Sequence, residues 1–242
     1  MRFILLLFTL NCCVSASEPP YNSLLSHTGL DTIISGLDSD LQLAASRHAR
    51  RCDANQSQVN LSPESLMAMV AANLQESTVV ADVQFLESWY KTSTGRKVSS
   101  LEQGELDELK LKQFQTIPAR SEQVARIYKN TRAGFLSASI AVQLEHAGWL
   151  ASGCMNKVRS SGDSRQIGAE QIFGDLLKDE RDTLETLFRQ STLHTMEFVL
   201  SSLSMSELME YADITIRNGS VYTALVDSLI NAIQEEATRI VQ

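Results

Sequence analysis

A histidine near a carboxylate can act in acid–base catalysis or bind a metal, and this chain offers two such candidates. Glu145 and His146 are adjacent, and Cys154 follows His146 by eight residues. His194 precedes Glu197 by three residues, a spacing that puts both side chains on one face of a helix. Helices produce this spacing often, and no His-Glu-x-x-His motif is present. We therefore predict no catalytic residue and no metal site at these positions.

The motifs of nucleophilic catalysis and of phosphate binding are missing from the sequence. Serine is abundant, but no Gly-x-Ser-x-Gly elbow occurs, and no Ser-x-x-Lys has the second motif that its enzymes require. Gly104 and Gly174 are isolated, so the chain contains no glycine-rich phosphate loop. We therefore expect no bound cofactor, and the absence of catalytic motifs favours a protein that is not an enzyme.

Four aromatic side chains could line a binding pocket: Trp89, Tyr90, Trp149 and Tyr211. Large aromatic residues at helical spacing are more often part of the core. A ligand pocket would in addition need converging polar groups in an apolar cavity. Glu145 and His146 lie on the same predicted helix as Trp149, so these three residues form the alternative hypothesis of a pocket.

A secretory signal peptide is predicted at the beginning of the chain. Arg2 is followed by a short apolar run, residues 3–10, and then by the small residues Val14-Ser15-Ala16. The run is too short to span a bilayer. We expect cleavage after Ala16 and a mature protein that is secreted, in a bacterium to the periplasm, with no transmembrane segment.

Cleavage there would leave two cysteines, Cys52 and Cys154, because Cys12 and Cys13 belong to the removed segment. In an oxidising compartment a lone pair of cysteines is most simply one disulfide. The alternative is two unpaired thiols. No Cys-x-x-Cys motif remains in the mature chain, so thiol–disulfide exchange is not expected.

The charge of the chain excludes one class of partner. The whole sequence has a net charge of −8, and removal of Arg2 with the signal peptide leaves 20 basic against 29 acidic residues, a net −9. Nucleic acids and anionic lipids attract basic proteins. We therefore expect no nucleic-acid partner, and another protein of the cell envelope is the predicted partner.

The composition and the apolar periodicity predict an all-α multi-helix bundle. Only four Pro and eleven Gly are present, and apolar residues recur at helical spacing through most of the chain. Ser62-Pro63 and Ser204 with Glu207 are start signals of helices. Residues 131–158 are apolar and rich in small residues, which predicts a central buried helix with close neighbours.

The bundle is predicted to consist of two loosely repeated halves, residues 17–158 and 159–242, within one compact domain. The polar stretch 159–164 is the best linker between them. Residues 102–112 are charge-dense, with carboxylates first and lysines after them. That order is typical of a solvated helix face, so we predict no acid–base site in this stretch.

The repeat is defined by residues 83–101 and by a looser copy, residues 207–225, aligned by superposing Gly95 on Gly219. In the first copy Trp89 and Tyr90 are predicted core aromatics, and Ser93 is the predicted cap of the next helix. Gly95 is expected to allow a close approach at the break between two helices. The second copy keeps the glycine and the apolar spacing, which indicates a structural corner.

Three parts of the sequence resemble a bacterial secreted, all-helical family of unknown function: Leu24-Leu25 with Thr28-Gly29-Leu30, the first copy, and its looser copy. The short signature of that family is an aromatic pair followed by Ser-Pro-x-Gly-Gln/Lys-Lys. Trp89-Tyr90 stands at the aromatic pair and Thr92-Ser93-Thr94-Gly95 at the serine–glycine segment, without the proline. The resemblance implies a helical fold and a periplasmic location, and it implies no activity.

Two classes of function follow from the sequence. The first is a non-enzymatic helical protein of the cell envelope that binds another protein or assists an assembly. The second is a binder of a small molecule or lipid, or a hydrolase, with a cleft between the two helical halves. An enclosed cavity that touches Trp89, Tyr90 or Trp149 together with His146 or Glu145 would favour the second class, and a solid core at that place would count against it.

Overall fold

The computed structural model describes residues 20–54, 60–104, 106–154, 183 and 186–239. The predicted signal peptide, residues 1–16, and the predicted linker, residues 159–164, lie outside these ranges. The described residues form helices and contain no β-strand, which confirms the predicted all-α bundle. No helix among them combines the length and the apolar character needed to cross a membrane.

In chain order the helices are α1 (Pro20–His27), α2 (Leu30–Cys52), α3 (Pro63–Ser77), α4 (Val80–Tyr90), α5 (Ser93–Glu102), α6 (Glu108–Gln113), α7 (Pro118–Thr131), α8 (Ala133–Ala151), α9 (described part 186–199), α10 (Met205–Arg217) and α11 (Gly219–Arg239). A short 3₁₀ turn, Leu200–Ser202, lies between α9 and α10.

Two of the predicted helix starts have the expected capping geometry. The side chain of Ser62 accepts a hydrogen bond from the backbone N–H of Ser65, and Pro63 occupies the first helical position of α3. Ser204 and Glu207 form a reciprocal capping box at the start of α10, with donor–acceptor distances of 3.3 and 2.6 Å. Both arrangements satisfy backbone N–H groups that have no partner inside the helix.

The cap of α5 differs from the prediction. Thr92, rather than Ser93, is the N-cap, and its hydroxyl accepts a hydrogen bond of 3.1 Å from the backbone N–H of Gly95. Thr92 has extended backbone angles, whereas Ser93 already belongs to the helix and is exposed. The chain therefore turns into α5 one residue earlier than the sequence pattern indicates.

Helix α2 packs along α8, and α11 packs against α3, α7 and α8. Helix α10 lies against α7 and α5, while α1 contacts α2, α3, α4 and α5. Buried apolar side chains from α1 to α5, α7, α8, α10 and α11 form one continuous core, and partly buried side chains of α9 pack against it. The helices on both sides of the predicted linker therefore share their hydrophobic contacts.

The close approach of α2 and α8 depends on small residues, as predicted for the segment 131–158. A Cβ atom placed on Gly148 would lie 2.6 Å from Cβ of Ala44 and 2.9 Å from the backbone N of Ala45. Real Cβ atoms do not come this close to other atoms, so a larger residue at position 148 would push the two helices apart.

The predicted pairing of Cys52 with Cys154 is confirmed, in that the two residues lie at disulfide-bonding distance. Their sulfur atoms are 1.97 Å apart and their Cα atoms 5.8 Å apart. Cys52 is the last residue of α2, and Cys154 lies three residues beyond the end of α8. The bridge thus joins the ends of two helices that already pack along each other.

Candidate functional site: a carboxyl–tyrosine cavity

Glu102 is the last residue of α5 and points its carboxyl group into the bundle. Val98, one turn earlier, is fully buried, so a residue four positions later lies on the same inward face. The prediction that the stretch beginning at Glu102 is a solvated helix face is therefore wrong for its first residue. The charged residues that follow in α6 are exposed, as expected.

Three buried tyrosines surround this carboxyl group. The phenol of Tyr211 donates a short hydrogen bond to Oε1 of Glu102, and the phenol of Tyr90 donates to Oε2 at 3.4 Å. The hydroxyls of Tyr90 and Tyr222 are 3.1 Å apart. At most 5% of each tyrosine is exposed. Helices α4, α5, α10 and α11 thus bring four polar groups to one point of an otherwise apolar core.

Burial sets the protonation of this cluster. It raises the pKa of Glu102 to about 7, against the opposing effect of the hydrogen bonds from Tyr211 and Tyr90. Burial and the neighbouring charge of Glu102 raise the pKa of Tyr90 and Tyr211 well above the ordinary value. The pKa of Tyr222 is raised for the same reasons. Near neutral pH the phenols are therefore neutral donors, and Glu102 is divided between its two protonation states.

The junction between α1 and α2 holds the end of α5 in place. Gly29 has a φ of 68°, and a Cβ atom at this position would lie 2.8 Å from the backbone oxygen of Glu102. A residue with a side chain is disfavoured there by conformation and by space. Gln103 adds two hydrogen bonds from its Nε2 atom, to the backbone oxygen of Ser26 at 2.6 Å and to Oγ of Ser99 at 3.1 Å.

Helix α10 is fastened to α4 and α5 by Glu210. Its two carboxylate oxygens accept hydrogen bonds from Nε1 of Trp89 at 2.9 Å and from Oγ1 of Thr94 at 2.8 Å. The ring of Trp89 stacks on Tyr211, with ring centres 5.5 Å apart. Because Tyr211 follows Glu210 directly, these contacts fix the phenol that binds Glu102.

Gly95 and Gly219 have different surroundings, although the predicted repeat superposes them. A Cβ atom on Gly95, in the first turn of α5, would lie 2.1 Å from the backbone oxygen of Trp89 and 2.6 Å from Cα of Tyr90. Around Gly219, the first residue of α11, no described atom beyond its chain neighbours and its own helix backbone lies within 4 Å of such a position. Gly95 is required for the close approach of α4 and α5, and the repeat itself stays a prediction.

Glu102 and two of its tyrosine partners line a cavity of about 260 Å³. The lining residues are Thr28, Gly29, Leu30, Thr32, Ile33, Glu102, Thr131, Ala133, Leu136, Met196, Tyr211, Tyr222, Leu225 and Val226. Most of the solvent-accessible area of the cavity wall is apolar. Glu102 is the only charged side chain among the described residues that line it. Thr32 and Ile33 are exposed to solvent, so they mark the rim of the cavity on α2.

Of the four aromatic candidates for a pocket, Tyr211 lines this cavity. The three residues of the alternative hypothesis, Glu145, His146 and Trp149, lie elsewhere. Glu145 forms an ion pair with Arg47, and its Oε2 lies 2.9 Å from Nε2 of His48, which joins α8 to α2. His146 and Trp149 are half-buried on α8. Neither these two residues nor Glu145 line the cavity.

No hydrogen bond or ion pair joins the second candidate pair, His194 and Glu197, among the described residues. Nε2 of His194 lies 3.3 Å from the backbone oxygen of Leu111, and its ring packs against Phe114. Glu197 is buried, and its Oε2 has no hydrogen-bond partner among the described residues. Within the same part of the chain no cluster of His, Cys, Asp or Glu could hold a metal ion.

No family model, curated protein or solved structure matches this chain. The resemblance to a secreted family therefore stays a prediction that rests mainly on the segment around Trp89 and Gly95. The chemistry of the cavity depends on other residues, chiefly Glu102 and Tyr222. One signal in the sequence pointed to Glu102, because it follows Val98 by four residues and so extends an apolar helix face.

Proposed function

We propose that the protein binds a small, largely apolar molecule in this cavity, with a polar head group at Glu102. The observation that carries the proposal is a carboxyl group, held by Tyr211 and Tyr90, that lines an apolar space. Ligand sites typically combine an apolar wall with few converging polar groups. The cavity fits that description, with lining residues from seven helices and from the junction between α1 and α2.

The size of the cavity limits the ligand. Its volume of about 260 Å³ lies between an engineered cavity of roughly 150 Å³ that binds benzene and the roughly 300–1,000 Å³ of typical ligand sites. A compact molecule with a short alkyl chain or a single ring therefore fits. A complete membrane lipid with two acyl chains is too large for it.

The predicted export to a bacterial periplasm is part of this proposal. The disulfide between Cys52 and Cys154 supports it, because such bonds persist in oxidising compartments. In that compartment the protein would act as a binding protein for a small solute.

Binding to another envelope protein is a second proposal, and one surface favours it. Met205, Met209 and Ile216 are exposed large apolar side chains that fall within one face of α10. Exposed apolar patches are typical of interaction sites. The two functions are compatible, since this face lies outside the lining of the cavity.

Titration with 1-hexanol tests the proposed function, with binding measured by calorimetry and by NMR chemical shifts. A probe of this size should bind saturably with a dissociation constant of roughly 0.1–1 mM. Ala133→Phe, at the half-buried start of α8, should fill the cavity and abolish binding.

The matched control is Ala72→Phe, the same change at an exposed position of α3 that does not line the cavity. It should leave hexanol binding unchanged. Equal binding by both variants, or no saturable binding to the unmodified protein, would overturn the proposed function.

A further inference from the structure

The charge balance of the cavity narrows the class of ligand. Among the described residues, its lining from α2, α7, α8, α9 and α11 has no Lys, Arg or His, so Glu102 faces no cation. The groups next to the carboxyl are the phenols of Tyr90, Tyr211 and Tyr222, which supply hydrogen bonds without charge. His27 of α1 stacks on the ring of Tyr90 and has its Nδ1 atom 3.4 Å from Oγ of Ser99.

The hydrogen-bond acceptor sites of the Glu102 carboxylate also favour a ligand that donates hydrogen bonds. An ionised carboxylate offers about four lone-pair sites. Tyr211 uses one of these on Oε1, and Tyr90 makes a long contact to Oε2. Sites therefore remain on the side that lines the cavity, and a ligand that donates hydrogen bonds can use them.

We propose that the cavity selects a small primary amine in its ammonium form, with the nitrogen at Glu102 and the apolar body against Leu136, Met196 and Leu225. This inference rests on the proposed function and names the class of its ligand. An ammonium group supplies both the missing positive charge and the hydrogen-bond donors. A neutral alcohol supplies only a donor, and an anionic head group would meet the negative charge of Glu102.

The ionisation of Glu102 adds a proton linkage. Burial raises its pKa to about 7, so below that pH an entering ammonium group must displace a proton from the carboxyl. The preference for the amine should therefore be strong at pH 8 and weak at pH 5.5. Binding of a neutral alcohol has no such requirement.

The test compares three probes that share one alkyl body: hexylamine, 1-hexanol and hexanoate. At pH 8 we expect hexylamine to bind at least tenfold more tightly than hexanol, and hexanoate more weakly than both. The ratio of the amine and alcohol affinities should fall at least fivefold at pH 5.5. These measurements use the unmodified protein and do not depend on the folding of any variant.

A variant pair then assigns the preference to one residue. Glu102→Gln should reduce the ratio of amine to alcohol affinity at pH 8 to about one. Glu145→Gln, a change of a carboxylate on α8 outside the cavity, should leave that ratio unchanged. Hexanol binding that equals or exceeds hexylamine binding would overturn this inference and leave the proposed function intact. Absence of binding by all three probes would overturn both.

Discussion

The phenol of Tyr211 donates a hydrogen bond to the carboxyl of Glu102 and so joins α10 to the last residue of α5. The two residues are 109 positions apart in the chain. Their contact depends on the packing of α5 against α10. Glu210 of α10 stabilises this packing by accepting hydrogen bonds from Trp89 of α4 and Thr94 of α5. The segment around Trp89 therefore acts on the cavity indirectly, because it positions the helix that carries Tyr211.

Glu102 should make the folded state less stable as the pH rises. Its pKa is about 7 in the fold against an ordinary 4.5. Its stabilising contribution is complete below pH 4.5, declines as the pH rises, and is lost above pH 7. Relative to Glu102→Gln, the free energy of unfolding of the unmodified protein should fall by roughly 2–3 kcal/mol over this interval. Urea unfolding at a series of pH values measures the difference.

The comparison with Glu102→Gln separates this effect from other titrating groups. Hydrogen bonds from the backbone of Ser204 and from Lys97 lower the pKa of Glu207 to about 2, so its contribution is lost only as the pH falls below its ordinary value. Tyr90 and Tyr211 keep their protons throughout, because their pKa values are raised. A difference that stays constant from pH 4.5 to 7 would contradict the raised pKa of Glu102.

Gly95→Ala should destabilise the fold strongly. The new methyl group would meet the backbone of Trp89 and Tyr90, so α5 must shift against α4, at a cost of roughly 2–4 kcal/mol. Gly219→Ala is the matched control, because in the described part of the chain its Cβ position meets no atom within 4 Å beyond its chain neighbours and its own helix backbone. We expect that change to raise stability by at most roughly 1 kcal/mol. Equal losses in both variants, measured by thermal or urea unfolding, would mean that the two corners are equivalent.

Glu210→Ala should loosen α10 and change the environment of Trp89. It leaves the buried indole N–H of Trp89 and the buried hydroxyl of Thr94 without their acceptor, at a cost of roughly 1–3 kcal/mol. The chain contains two tryptophans. Fluorescence in a Trp149→Phe background therefore reports on Trp89 alone, and its emission should shift on loss of Glu210.

Asp213→Ala is the control for this change. Asp213 is an exposed carboxylate on α10, and its ion pair with Arg126 is solvated. Its removal should cost less than about 1 kcal/mol and leave the fluorescence of Trp89 unchanged. If both variants gave the same loss and no spectral shift, Glu210 would have no special role in holding α10.

Features with a local physical cause could be predicted from the sequence. The caps at Ser62 and Ser204, the helical class, the small-residue contact at Gly148 and the pairing of Cys52 follow from neighbouring residues or from the cysteine count. The cap of α5 was missed by one residue, because Thr92 and Ser93 are both good capping residues. Only the backbone angles decide between them.

The cavity could not be predicted in the same way. Glu102 stands at the start of a charged stretch, so the composition of that stretch predicts solvent exposure, whereas α5 is oriented so that the half-buried carboxyl of Glu102 meets Tyr211. Tyr222 lies on α11, and its contact with Tyr90 joins residues 132 positions apart. Sequence spacing within one helix shows which residues share a face. It does not show which face of another helix lies opposite.

Removal of the Cys52–Cys154 disulfide should lower stability without changing the cavity. The bridge connects residues separated by 102 positions, and the chain-entropy estimate for such a loop is about 4–5 kcal/mol. We expect a loss of roughly 2–5 kcal/mol in Cys52→Ser/Cys154→Ser, measured by urea unfolding, and a similar loss on reduction of the unmodified protein. Hexanol binding should persist under conditions where the variant is folded, because neither cysteine lines the cavity. Non-reduced peptide mapping of the protein should show the linked pair, and Cys52 and Cys154 both freely alkylated would contradict both the bridge and the predicted loss.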